Sequence, residues 1–199
     1  MDPDEALTCA WSACAMRLFS VKVLPPLLAQ LRGAAASSLT DMQANQLRQV
    51  LLSLDLEPSA AAARAALPQG LLAEFQGPRD FAGDRACDDD EVTEGFCELL
   101  AKDDIGFKLA EIVEGFYIVD LVVHAASSQV KTSQPTGVLF GGREGRSGAV
   151  PHDPWLALKL QHLQLLGWRV QLVPPSHWHC LTDEERQELV HELVRAAAM

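Results

Sequence analysis

The stretch LKLQHLQLLGWRVQLVPPSHWHCLTDEER, residues 158–186, restricts the fold more than any other part of the chain. Its leucine spacing predicts a helix that stops at Gly167, where a glycine closes the last turn most easily. WRVQLV then has the length and residue types of a short buried strand. Pro174 and Pro175 break it, and Thr182 with Glu185 forms a capping box that opens a further helix. The stretch also gathers Lys159, His162, His177, Trp178, His179 and Cys180. A zinc site needs four ligands, usually in separated pairs, and His177, His179 and Cys180 amount to a fragment with no second cluster. No metal is expected, and SHWHC reads as a surface turn around an anchoring Trp178.

The same kind of reading extends upstream. HDPWLALKLQHLQLLG is a helix with Asp153 at its N-cap and Pro154 at its first position. FKLAEIV (107–113) and GFYIVDLVVHA (115–125) predict two strands, with Gly115 making a plausible hairpin between them. TGVLFGG (136–142) predicts a third strand, and Val92, Phe96, Leu99 and Leu100 mark a helix face. The resulting order, α-β-β-β-α-β-α over residues 92–199, describes a small α/β (α+β) domain with helices packed on a mixed sheet.

Residues 1–76 read differently, as helix throughout. DEALTCAWSACAMRLF gives a first helix, and VLPPLLAQLRG gives a second with Gly33 as its stop. TDMQANQLRQVLLSL opens with a Thr40/Gln43 capping box and carries Leu47, Val50, Leu51 and Leu54 on one face. SAAAARAALPQGLLAEF is a fourth, broken near Pro68. Short amphipathic helices joined by short turns resemble a helical-repeat segment, although no fixed-period self-similarity is visible. Residues 77–91, GPRDFAGDRACDDDE, combine Gly, Pro and acids without periodicity and read as an acidic linker.

Composition narrows the function classes. The 199 residues are 48% hydrophobic, enough for a packed core, and carry a formal net charge of −11. That balance argues against strong nonspecific binding to DNA or anionic membranes, which rests on clustered Lys and Arg. No apolar run approaches the ~18 residues of a membrane span. Five scattered cysteines without a CxxC pair fit reduced thiols in an intracellular compartment. The start, MDPDEALTCAW, lacks the character of a transit or signal peptide, so residence in the cytoplasm stays open. There is no GxSxG, no GxxxxGK[ST] and no dinucleotide-binding glycine pattern, so neither a nucleophile nor a cofactor is expected.

Two charged residues stand out. Asp120 shares one strand face with Phe116, Ile118, Val122 and His124 by the period of two. A carboxylate there either reaches water on a half-buried face or accepts backbone hydrogen bonds. Lys159 and His162 fall inside the apolar arc that Trp155, Leu156, Leu158, Leu160, Leu163, Leu165 and Leu166 form on their helix. Lys159 either snorkels outward along its stem or faces Asp120 across a helix–sheet seam. GGREGRSG (141–148) reads as a surface loop whose Arg143 and Arg146 could touch a nucleic-acid backbone.

With these residues laid out, the C-terminal ~108 residues resemble the RAP domain, an RNA-binding module abundant in apicomplexans. The module also occurs in algal and plant organelle proteins and in FAST kinase-like proteins. GFYIVDLVV resembles its "gYsVDia" strand around Asp120. LKLQHLQLLGWRVQLVPPSHWHCL resembles its closing motif through Leu158, Lys159, Leu163, Gly167, Trp168, Val170, Val173, Pro174, Trp178 and Leu181. The helical residues 1–76 resemble the repeats that usually precede the domain.

The resemblance implies a restriction-endonuclease-like (PD-(D/E)XK-related) fold, in which two acids and a Lys bind metal and activate water. Asp120 and Lys159 match the first and last of these. The middle strand departs: VLFGG, Val138 to Gly142, stands where the family has IEVDG, with Leu139 and Gly141 in place of the acids. Gln161 stands where the family has an Arg. A catalytically inactive domain without metal follows as the expectation, with Asp120 and Lys159 vestigial. The resemblance further implies RNA, single-stranded or ribosomal, as partner, and a place in organellar RNA metabolism in mitochondrion or plastid. Lys131, Arg143, Arg146, Lys159 and Arg169 are the candidate RNA contacts. Residues 92–199 nevertheless hold 14 acidic residues against 9 basic ones. A protein–protein scaffold within a ribosomal or RNA-processing complex is therefore the alternative.

Overall fold

The computed structural model describes residues 2–31, 39–67, 90–115, 117–124, 134–141 and 153–198. Two compact units divide the chain, Met1–Gly83 and Asp84–Met199. Gly33, residues 68–75, most of the linker (77–89), Phe116 and the Gly-rich loop from 142 onward lie outside the described residues.

The first unit is helical where described: α1 (Pro3–Ala15), α2 (Leu24–Ala29), α3 (Asp41–Leu56), a 3-10 turn (Pro58–Ala60) and α4 (Ala61–Ala65). Local chemistry sets the starts. Asp2 and Glu5 form a capping box on α1, and Thr40 and Gln43 form one on α3. Leu7, Ala10, Leu24, Leu28, Val50 and Leu54 belong to one apolar core. Leu51, expected on the same face as Leu47, Val50 and Leu54, is only partly buried.

Beside that core runs a row of buried polar side chains. Asn45, Gln49, Ser53 and Glu57 follow at four-residue intervals, each at most 4% exposed. Positions four apart stack along one helix face, so the row looks in a single direction. Trp11 Nε1 donates to Gln49 Oε1 at 2.5 Å, and Arg17 Nη2 pairs with the Glu57 carboxylate at 3.0 Å. Between them, Cys14 hydrogen-bonds with Ser53, and burial pushes the Cys14 thiol up to about 12. That thiol stays protonated and is a packing group rather than a nucleophile.

The second unit is α+β. Its elements are α5 (Asp90–Lys102), β1 (Phe107–Val113), β2 (Tyr117–Val123), β3 (Thr136–Phe140), α6 (Pro154–Leu165), β4 (Arg169–Val173), α7 (Pro175–Cys180) and α8 (Asp183–Ala198). The four strands form one mixed sheet in the order β1-β2-β3-β4. The first two pairs are antiparallel; β3 and β4 are parallel. A parallel pair needs a crossover, and α6 supplies it. The hairpin joining β1 to β2 turns through Glu114 and Gly115, both at positive φ (52° and 71°).

β2 is buried without interruption from Val119 to Val123. A half-buried strand would alternate, so both faces of β2 are covered. One cover is the cluster of Phe96, Leu121, Val138, Phe140, Trp178 and Val190, drawn from α5, α7, α8 and the sheet. Outside that cluster, α6 buries Leu158, Lys159, His162 and Leu163. The face of Ile118, Asp120 and Val122 is thus one of two covered faces of β2.

Other expectations shift as well. SHWHC is a short helix rather than a turn, because Pro175 suits a first helical position. α5 begins at Asp90, inside the stretch read as linker, where its first-turn acids favour the helix N-terminus. Trp168 and Val170 are only half-buried because β4 is a sheet edge, and the apolar arc of α6 leaves Leu165 40% exposed. Trp178 alone of these tryptophans is fully enclosed, its ring centroid 5.1 Å from that of Phe96. Replacing Trp178 by Ala should lower unfolding free energy by about 3–5 kcal/mol in urea titrations, and Trp168→Ala should cost clearly less.

Candidate functional site

β2 carries Asp120 to the point where its pairing with β3 ends. The ladder runs through Val123↔Thr136, Val122↔Gly137 and Leu121↔Val138. Continuing it would place the Phe140 N–H opposite Val119. Instead, Asp120 Oδ2 accepts that N–H at 2.8 Å. Asp120 is 8% exposed, so of the two readings of its carboxylate, the one that accepts a backbone hydrogen bond is the one observed.

The strand on the other side is distorted at the same level. Leu109↔Leu121 and Glu111↔Val119 bracket Ala110 opposite Asp120, and Ala110 has φ 53°. An alanine in the left-handed region costs on the order of 1–3 kcal/mol. The kink brings Lys108 Nζ to the Glu111 carboxylate, although residues three apart on a regular strand face opposite sides.

Lys159 is 4% exposed on α6, so it does not snorkel into water. A buried ammonium requires compensation inside the protein, and both Lys159 and Asp120 engage partners beyond those already named. Asp120 is the one buried carboxylate of the second unit among the described residues. One turn along α6, His162 is fully buried, and its Nδ1 lies 2.7 Å from the Tyr117 hydroxyl. Burial pushes the His162 imidazole from 6.5 down to about 4, so the ring is neutral at pH 7.

A divalent cation prefers several oxygen ligands. Around Asp120 the neighbouring strand offers Val138, Leu139 and Phe140, all buried and apolar. No group of three His, Cys, Asp or Glu side chains suited to a metal occurs among the described residues. Among the described residues, the donor set around Asp120 does not fit a catalytic metal. In the SHWHC helix, His179 and Cys180 are exposed, and His179 Nδ1 lies 3.8 Å from Glu91.

Lys131, Arg143 and Arg146 lie outside the described residues. Arg169 is half-buried on β4, and its Nη1 donates to the Ala196 carbonyl near the end of α8. Asp120 and Lys159 are both interior groups of the second unit. The Tyr117–His162 pair was invisible in the sequence, since it joins residues 45 positions apart. Its one signal was a histidine inside an apolar helical arc. No protein-family model matches the chain, and no curated protein matches it.

Two outcomes follow. Asp120→Ala leaves the buried Phe140 N–H without its acceptor and should cost about 1–3 kcal/mol or more in chemical denaturation. For His162 the folded pKa lies below the unfolded one, so between pH 6.5 and 4 the unfolded chain binds the extra proton. Stability should therefore fall as pH drops through that window, by about 3 kcal/mol in full, and His162→Gln should remove that component.

Proposed function

We propose that this chain is a RAP-like RNA-binding protein of organellar RNA metabolism whose endonuclease-like domain is catalytically inactive. The observation that carries the reading is the pair of buried ionisable residues, Asp120 on β2 and Lys159 on α6, in a unit with the helix–hairpin–strand–helix–strand–helix order of that module. Both residues occupy the motif positions that carry the resemblance. Neither position is explained by surface solubility.

Inactivity rests on the donor chemistry. One carboxylate beside Leu139 cannot clamp the divalent ion that a phosphodiesterase of this type needs. With no metal to hold, Asp120 serves the Phe140 backbone, and Lys159 is the cation that neutralises it across the helix–sheet seam. RNA contact then falls to Lys131, Arg143, Arg146 and Arg169, aided by base stacking on half-exposed aromatic rings. The scaffold alternative is favoured by a different observation: residues 92–199 hold 14 acidic residues against 9 basic ones.

Binding of the full chain to a fluorescein-labelled single-stranded RNA tests the reading. Affinity should fall steeply between 50 and 200 mM salt, with a log–log slope of about −2 for some three phosphates neutralised. Arg143→Ala with Arg146→Ala should flatten that slope. Absence of binding at low salt overturns the RNA reading, and cleavage with Mg²⁺ that vanishes in Asp120→Ala overturns inactivity.

A further inference from the structure

The connection from α1 to α2, MRLFSVKV (residues 16–23), turns apolar side chains to the solvent. Met16, Leu18, Val21 and Val23 are 63%, 54%, 45% and 42% exposed, half of the eight exposed large hydrophobic side chains among the described residues. Such side chains scattered singly are ordinary, but four within eight positions make a patch. The segment is also firmly held. The Leu18 N–H donates to the Ala13 carbonyl at 2.8 Å, and the Val23 and Leu24 N–H groups both donate to the Ser20 carbonyl at 3.0 Å. Phe19 packs on the apolar core, and Arg17, at φ 58°, is tied to Glu57. Surface turns ordinarily present Gly, Pro, Asn, Asp and Ser, whereas this one presents aliphatic groups.

The second feature is local charge. No acid occurs between Glu5 and Asp41, although the whole chain carries −11. The contacts from Trp11–Gln49 to Arg17–Glu57 run in step along α1 and α3, which places the turn beside the C-terminal end of α3. The two acids there are each paired, Glu57 with Arg17 at 3.0 Å and Asp55 with Arg64 at 2.7 Å. Asp2, Asp4 and Glu5 lie at the far end of α1, about 20 Å away along the 13-residue helix. Lys22 is exposed within the patch, and no ion pair engages it among the described residues.

We propose that this turn docks an acidic amphipathic segment of a partner protein. Apolar side chains of that segment cover Met16, Leu18, Val21 and Val23, and one of its carboxylates pairs with Lys22. A second copy of this chain would bring Lys22 against Lys22, and four side chains fall well short of the roughly 800 Å² per partner of a stable dimer. An extended anionic lipid surface would meet the −11 of the whole chain, whereas a short segment feels only charges within about 10 Å. RNA would find no stacking platform in Met, Leu and Val. The proposal uses none of the candidate RNA contacts and stands whether or not the chain binds RNA.

Labelling the methionine methyl carbons gives four signals, and Met16→Leu and Met42→Leu assign two of them. Met42 is 67% exposed beside Asp41, so it reports apolar contact away from the cation. The full chain is titrated at low salt with a dodecapeptide of Leu and Glu in amphipathic helical order and, separately, with its Leu and Lys counterpart. The acidic peptide should move the Met16 signal saturably and leave Met42 in place, and the basic one should move neither. Lys22→Glu and, separately, Leu18→Ser change exposed side chains, and circular dichroism verifies the fold of each. Either variant should weaken binding at least tenfold. An unmoved Met16 signal, an equal shift of Met42, an equal response to the basic peptide, or unchanged affinity in either variant overturns the proposal. Movement of Met16 by single-stranded RNA, by phosphatidylserine vesicles, or by raising the protein concentration alone overturns it as well.

Discussion

A single side-chain-to-backbone hydrogen bond organises the centre of the second unit. Where β2 and β3 cease to pair, the Asp120 carboxylate takes the Phe140 N–H at 2.8 Å, in a place with almost no access to water. A buried carboxylate is tolerated only where hydrogen bonds and opposite charge compensate it. The bond lets β3 leave the ladder without stranding its last donor, and the chain is then free to cross into α6. Lys159 is buried on α6, one turn before the helix contacts β2 through His162 and Tyr117. Strain at Ala110, directly across from Asp120, shows that the neighbouring strand also bends at this level.

Short-range chemistry was the legible part of this fold. The strand at Phe107–Val113 and the caps at Thr40, Asp153 and Thr182 follow from neighbours within a few positions. Burial of particular side chains was harder to read. Trp168 and Val170 look like core residues in isolation, but β4 lies at the sheet edge, a fact fixed by strand order rather than by local sequence. Asp120 and Lys159 stood out in the sequence, yet whether each reached water depended on cover from elements far along the chain.

Trp178 shows how one residue can belong to both core and surface. One side of its ring packs on Phe96 within the apolar cluster, while Arg186 lies over the ring and the indole edge passes under Gly95. Aromatic residues with a polar tip suit such boundaries, being apolar in bulk and directional at one atom. Of the His residues on either side of Trp178, His177 is half-buried and His179 is exposed, and neither belongs to the apolar cluster. What looked in the sequence like a cluster of metal-binding types is a short helix holding a single anchor.

In the first unit, the polar row on α3 gives the contact with α1 teeth. Apolar surfaces alone tolerate sliding, since one leucine substitutes for another at little cost. Moving α1 along α3 by one turn, about 5.4 Å, would carry Trp11 past Gln49 and Arg17 past Glu57 together. Each would leave behind a desolvated group without its mate, Glu57 as a buried charge. The helix pair therefore has one admissible alignment, and the unit can present its outer surfaces to a neighbour with the same spacing in every molecule.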